Sequence, residues 1–284
     1  MILYRFSVKC SPMLSNHKSL ILLFLIVIML TQWSCQRGRG SQTDPVELST
    51  TKELTETNRK FILTFYPFII EANKKVMTDR ARLLDLRNDY RHVIRKKNHL
   101  EWINRLAENY EYGDDFFNDT LTRQQYKAHI DTLLYRVDYI PERLVMAQAI
   151  VESGWGKSKF ARQGNNYFGI RCYHPGCGMA PEGIDKPRFY VRSFPSAQAA
   201  VDEYLNMLNS GFAYENLRKQ RRALRNENDY PDALLMAQGL KRYSEKKSAY
   251  IDLVESIIND YLPENLQDFV EYHNNYDNLA DEKS

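Results

Sequence analysis

The chain has 284 residues, 43% of them hydrophobic, which is ordinary for a globular protein and leaves room for a sizeable core. Its 39 basic and 36 acidic residues leave a net charge of +3, too small to indicate a nucleic-acid partner. That length allows one large domain, or a helical region followed by a catalytic domain.

Residues 1–35 have the form of an export signal. Arg5, Lys9 and Lys18 precede an apolar run from Leu20 to Leu30 that is short for a membrane span. Ser34-Cys35 closes the run as in a bacterial lipoprotein signal, although Gln32 and Trp33 depart from that pattern. Lipidation of Cys35, simple cleavage and an uncleaved anchor all stay open. The expectation is an exported protein of the periplasm or cell envelope, with the membrane as a partner through this segment. Residues 36–57, rich in Ser, Thr, Gly and charge, read as a flexible tether.

Residues 58–120 read as an accessory region of two or three helices. Phe61, Phe65, Phe68, Ile69, Ala72 and Val76 form a first stripe, and Leu83, Leu86, Tyr90, Val93 and Ile94 continue it. Pro67 is expected to interrupt the first helix. Phe65, Tyr66 and Phe68 fit a core stripe better than a ligand groove. Thr122 and Gln125 have capping-box spacing, so a helix is expected over 121–137, opening a catalytic domain over 121–265.

The stretch Pro141 to Ile170 carries the chemistry. Pro141 suits a first helical turn, Leu144, Ala147, Gln148 and Val151 share one face, and Ser153-Gly154 stops the helix. Glu152 therefore lies at the negative end of the helix dipole, where an anion is disfavoured and apolar neighbours raise its pKa further. A carboxyl group still protonated near neutral pH can act as a general acid on a glycosidic bond. Most glutamates near helix ends are only solvated surface groups. Here, however, Gly154, Gly156, Gly164 and Asn165-Asn166 make a tight loop set among Trp155, Phe160, Tyr167 and Phe168, and sugars bind against such aromatic surfaces.

Beyond Ile170, Pro and Gly between Pro175 and Pro187 exclude a long helix. Strands near 170–173 and 190–194 are expected to pair into a small β-lobe. Cys172 and Cys177, an exported pair five residues apart, suggest a disulfide, because a metal site with His174 would lack a fourth ligand. Helices are then expected after Ser196, over 212–225, after Pro231 and over 249–261, and residues 266–284 read as a loose acidic tail. The basic run Arg218 to Arg225 reads as a solvated helix face, with contact to an anionic wall polymer as the alternative.

The segments AQAIVESGWGKS and NNYFGI resemble the signature of the peptidoglycan-hydrolysing glucosaminidases of glycoside hydrolase family 73. The helical region before them is similar to that of the Bax-type branch of that family, extending the resemblance over about 58–261. It implies a mainly helical α+β fold, lysozyme-like and two-lobed, with a small β-lobe. It also implies hydrolysis of the β-1,4 bond after N-acetylglucosamine in peptidoglycan, with Glu152 as general acid and no cofactor or metal. For a second carboxylate the candidates are Glu182 and Asp185 in the β-lobe loop, unless the substrate's own N-acetyl group takes that part. Trp155, Asn166, Tyr167, Phe168 and, by resemblance, Tyr243 are expected to face sugar. Two alternatives remain: a lytic transglycosylase, whose pattern continues with a GLMQ-like turn where this chain has NNYFGI, and a non-catalytic wall-binding scaffold.

Overall fold

The computed structural model describes residues 50–113, 117–181, 183–184, 187–226, 231–240 and 248–281. The export segment with Cys35, the acids Glu182 and Asp185, and Tyr243 lie outside the described residues. Among the described residues, no helix is long and apolar enough to cross a membrane.

The segment read as a tether is held at its far end, where the Lys52 N–H donates to the Asp260 carbonyl at 2.7 Å. Helix α1 (Glu56–Asn88) follows, capped by the Thr55 side chain. It runs through Pro67 without a break, contrary to the sequence expectation. Pro67 is exposed while Ile62, Phe65, Tyr66 and Ile69 on either side of it are buried. The hydrogen bond that proline deletes therefore lies on the solvent side, where water can replace it, and the buried stripe keeps the helix whole.

Short helix α2 (Tyr90–Val93) and helix α3 (Lys97–Asn109) complete the region. Helix α4 (Arg123–Arg136) starts at the expected capping box between Thr122 and Gln125. Helix α5 (Glu142–Ser153) is the axis of the domain, since every residue from Leu144 to Ile150 is buried. Asn73 of α1 clamps the entry to α5, accepting from the Ile140 N–H at 3.1 Å and donating to the Ile140 carbonyl at 2.8 Å.

Helix α6 (Lys159–Gly164) leads to three short strands, β1 (Arg171–Cys172), β2 (Gly178–Met179) and β3 (Tyr190–Arg192). Their order is β1-β3-β2, with both pairs antiparallel and Arg171 opposite Val191. The expected pairing of β1 with β3 is present, and β2 is an addition. The Cys172–Cys177 disulfide joins the last residue of β1 to the residue just before β2.

Helix α7 (Ala197–Ser210), a 3-10 turn (Phe212–Tyr214) and helix α8 (Glu215–Asn226) come next. Helix α9 (Ala233–Ala237), a second 3-10 turn (Gln238–Leu240) and helix α10 (Ser248–Tyr261) follow. Helix α5 packs on α10, α1 and α9, and α1 also packs on α7 and α4. This is the mainly helical α+β, lysozyme-like arrangement that the resemblance implies.

Two readings of surface character are corrected. The chain after Leu266 is not loose but forms helix α11 (Leu266–Asp281), because Leu266, Phe269 and Val270 meet the core at helical spacing. Nor is the basic run of α8 solvated throughout: Lys219 and Arg222 are exposed, but Arg218 and Arg221 are only 2% and 1% exposed. Arg218 donates to the Leu208 and Gly211 carbonyls at the end of α7. Arg221 donates to the Tyr135 and Arg136 carbonyls at the end of α4 and to the Asp138 carbonyl just beyond. Helix ends leave such carbonyls without partners and carry partial negative charge, so a buried guanidinium with several donors satisfies both needs.

The Asn73 clamp gives a direct test of the packing. Asn73→Ala leaves the Ile140 N–H and carbonyl buried without partners, and is expected to lower stability by about 2 kcal/mol or more in urea unfolding. A change below about 0.5 kcal/mol would mean that the clamp contributes little to the junction of α1 and α5.

Candidate active site

Glu152 occupies the last turn of α5, and Gly154 ends the helix with φ of 57°. The left-handed conformation continues through Trp155 and Gly156, at φ of 60° and 73°. Ser153 secures this turn from inside, donating its hydroxyl to the Ala149 carbonyl and accepting from the Gly156 N–H at 2.7 Å. A Cβ on Gly156 would stand 2.9 Å from the Phe61 ring, so the turn fits closely against α1. Ser158 then caps α6, whose last residue is followed by Asn165 in the left-handed region at φ of 51°.

Asn166 is where the structure corrects the sequence most clearly. Expected to face sugar, it is buried, with its amide engaged on both sides. Its nitrogen donates to the Ile170 and Arg192 carbonyls at 2.9 and 2.8 Å. Its oxygen accepts from the Phe168 and Ile170 N–H groups at 3.3 and 3.1 Å. One amide thus folds the NNYFGI turn onto itself and onto β3. Phe168 is also interior, 1% exposed and stacked on Tyr204 with ring centroids 3.9 Å apart, so it is packing and not a sugar platform.

Trp155 and Tyr167 stay partly exposed. Trp155 meets the Phe61 and Tyr261 rings edge-on. Tyr167 lies against Phe61 and Phe65 with centroids 6.3 and 4.7 Å away. Helix α1 therefore supplies the aromatic backing of the turn, which its stripe of phenylalanines did not distinguish from ordinary core.

The turn returns the chain to Glu152. At Gly169, with φ of 66°, an added Cβ would come within 3.3 Å of the Glu152 Oε2 atom. A bare glycine lets the backbone lie beside the carboxyl group. On the other side the Tyr250 hydroxyl hydrogen-bonds to Glu152, and the Gln148 Nε2 donates to that hydroxyl at 3.1 Å. Burial pushes the Glu152 carboxyl above its ordinary pKa; the Tyr250 hydrogen bond and the positive charge of Arg171 on β1 pull the other way. Burial with the nearby Glu152 charge holds the Tyr250 phenol well above its usual range and pushes Tyr214 up to about 12. Both phenols therefore remain proton donors at any physiological pH.

Sequence reasoning singled out Glu152 but did not name Gln148, Gly169, Arg171, Tyr214 and Tyr250 as its surroundings. Gln148 left a signal, being a polar residue one turn before Glu152 on an otherwise apolar face. Tyr250 left none, for it comes from a helix about a hundred residues away in sequence. The pair Cys172 and Cys177 is consumed by the disulfide, so these sulfurs offer no thiolates to a metal.

With this geometry in hand, the comparisons with known proteins converge. Residues 134–263 match the family model of the glucosaminidases, described as mannosyl-glycoprotein endo-beta-N-acetylglucosaminidase. That family domain makes the chain a glycoside hydrolase-like enzyme. The chain is also 32% identical over 206 residues to the protein Bax of Escherichia coli (strain K12), covering 72% of this chain and 70% of that protein. It belongs to the Bax-type glucosaminidase-like family. No solved structure matches the chain at a significant level.

The interior role of Asn166 predicts the outcome of its removal. Asn166→Ala takes the side-chain partner from the Phe168 and Ile170 N–H groups and from the Arg192 carbonyl, while the Ile170 carbonyl keeps the Arg192 N–H, and it is expected to cost about 3 kcal/mol in chemical unfolding. A residue that only touched sugar would change stability by less than about 1 kcal/mol, and that result would return Asn166 to the surface of the site.

Proposed function

We propose that the chain hydrolyses the β-1,4 bond after N-acetylglucosamine in peptidoglycan, with Glu152 as general acid. The observation that carries this reading is the half-buried Glu152 carboxyl at a helix C-terminus, raised by burial and hydrogen-bonded by Tyr250. Such a group keeps its proton to a higher pH than a solvated glutamate and gives it to the leaving oxygen of the sugar. As the proton leaves, negative charge appears on Glu152. The Tyr250 hydroxyl, held in place by Gln148, then donates to a full carboxylate, and the Arg171 charge strengthens with it. These contacts favour the charge-separated state over the starting one, which is the direction catalysis requires.

Water completes the reaction at the anomeric carbon, activated by a second carboxylate or replaced at first by the substrate's N-acetyl oxygen. Glu182 and Asp185 remain the proposed carboxylates, and Tyr243 a proposed support for the N-acetyl group. Trp155 and Tyr167 are the proposed aromatic surfaces for flanking sugars. Export and attachment through residues 1–35, with lipidation at Cys35 as one route, place the enzyme beside its substrate in the envelope. The Cys172–Cys177 bond supports that location, because disulfides persist in oxidising compartments.

Glu152→Gln tests the assignment. It is expected to lower release of reducing ends from purified peptidoglycan by about a hundredfold or more. Its melting temperature at pH 7 should equal or exceed that of the parent. A carboxyl group raised on folding stabilises the fold fully only below its unfolded pKa, and the benefit is lost as pH rises through the folded value; the amide has no such loss. Unchanged turnover in the folded variant would remove Glu152 from the chemistry. Mass spectrometry of the products should find N-acetylglucosamine at the reducing end, and anhydro sugars in its place would indicate a transglycosylase.

Tyr250→Phe tests the proton more finely. The hydrogen bond it removes lowers the Glu152 pKa, so the alkaline limb of the pH–rate profile is expected to move to higher pH. A limb that moves down, or does not move, would contradict the assignment of that limb to Glu152.

A further inference from the structure

Where α1, α4 and α8 meet, a cavity of about 260 Å³ opens among five arginines, Arg80, Arg87, Arg221, Arg222 and Arg225. Among the described residues two carboxylates, Asp131 and Asp138, share that lining, so the described arginines outnumber the described carboxylates there by three. The excess is concentrated on Asp138. Arg225 pairs with it at 2.8 Å, Arg80 approaches to 3.5 Å and Arg221 to 3.8 Å. Asp131 is held by Arg87, whose Nη2 donates to it at 3.1 Å.

Part of this set is structural. Arg80 donates to the Leu134 and Val137 carbonyls, and Arg221 closes the same helix end. The negative end of the α4 dipole is worth about half a charge, too little to balance the remainder. The arginines act on one another accordingly, since burial and the charges of Arg80, Arg218 and Arg225 bring Arg221 down to about 10. Arg222 has no such structural duty. It is exposed, makes no hydrogen bond among the described residues, and stands with its guanidinium 5.5 Å from the Tyr135 ring at the cavity wall. Like-charged groups gathered in a partly enclosed space are costly unless an anion joins them.

We propose that this cavity binds a phosphate group, presented either as the free anion or as a lipid headgroup. A tetrahedral dianion offers several acceptor oxygens to planar guanidinium forks, a match that arginine makes better than lysine. The space exceeds several water volumes of about 30 Å³ each, so a hydrated phosphate or a small phosphorylated headgroup fits. Arg222 supplies uncommitted donors, Arg87 and Arg225 flank it, and Arg80 and Arg221 provide fixed charge behind. The site lies beyond the start of α5, whose 12 residues span about 18 Å, whereas Glu152 is at the other end. It is thus separate from the proposed chemistry and does not depend on it.

The test uses the full chain and inorganic phosphate at constant ionic strength, followed by phosphorus NMR and by melting temperature. Saturable binding of one phosphate per chain is expected, with a rise in melting temperature that acetate does not reproduce. Arg222→Glu, and separately Arg87→Gln, should weaken binding tenfold or more while leaving peptidoglycan hydrolysis unchanged. Vesicles with and without phosphatidic acid identify the source. If the headgroup is the ligand, the parent should sediment with the phosphatidic acid vesicles more than Arg222→Glu does, and free phosphate should compete; the N-terminal apolar segment is common to both chains. If free phosphate is the ligand, both chains should sediment alike while solution binding persists in the parent. Equal responses to phosphate and acetate, or phosphate binding undiminished in both variants, would overturn the proposal.

Discussion

Glu152 is held where two ordinary stabilising tendencies oppose its charge, the negative end of α5 and partial burial. The surrounding structure keeps the carboxyl there instead of letting it escape to water. Gly154 stops the helix at the right residue, Ser153 locks the turn, and Gly169 lets the returning backbone lie against the carboxyl oxygen. Asn166 then holds that returning backbone through three hydrogen bonds to Phe168 and Ile170 and ties it to β3 through a fourth, to the Arg192 carbonyl. The loop is a clamp around one acid.

The helices that hold the clamp depend on a second class of interaction. Their ends are not left to solvent: buried arginines of α8 collect the last carbonyls of α4 and α7, and Asn73 joins α1 to the chain entering α5. Such groups give directional contacts where apolar packing alone would tolerate small shifts. Position matters here, because a proton donor misplaced by an ångström loses much of its effect.

The legible parts of the sequence were those in which local chemistry permits one solution. A capping box at Thr122, a glycine stop after Glu152 and a cysteine pair five residues apart each specify geometry within a few residues. Other residues misled because a single side chain serves two purposes equally well. An asparagine beside a turn can hold backbone or sugar, and Asn166 holds backbone. Arginines on a helix usually seek water, yet those at 218 and 221 point toward helix ends that only the fold brings near. Pro67 was read from its lost hydrogen bond alone, while the buried residues on either side of it decide the helix. Tyr250 and Arg171 reach Glu152 from distant segments, and no local pattern announces that meeting.

The central claim is that Glu152 retains its proton because the fold buries it. Its side chain can be followed directly by carboxyl carbon-13 NMR as a function of pH in the intact protein, with Glu152→Gln supplying the assignment. The midpoint is expected above the ordinary glutamate value of 4.5, because desolvation outweighs the Tyr250 and Arg171 contacts. A midpoint at or below that value would show that the site holds Glu152 as a carboxylate, and the general-acid account would fail.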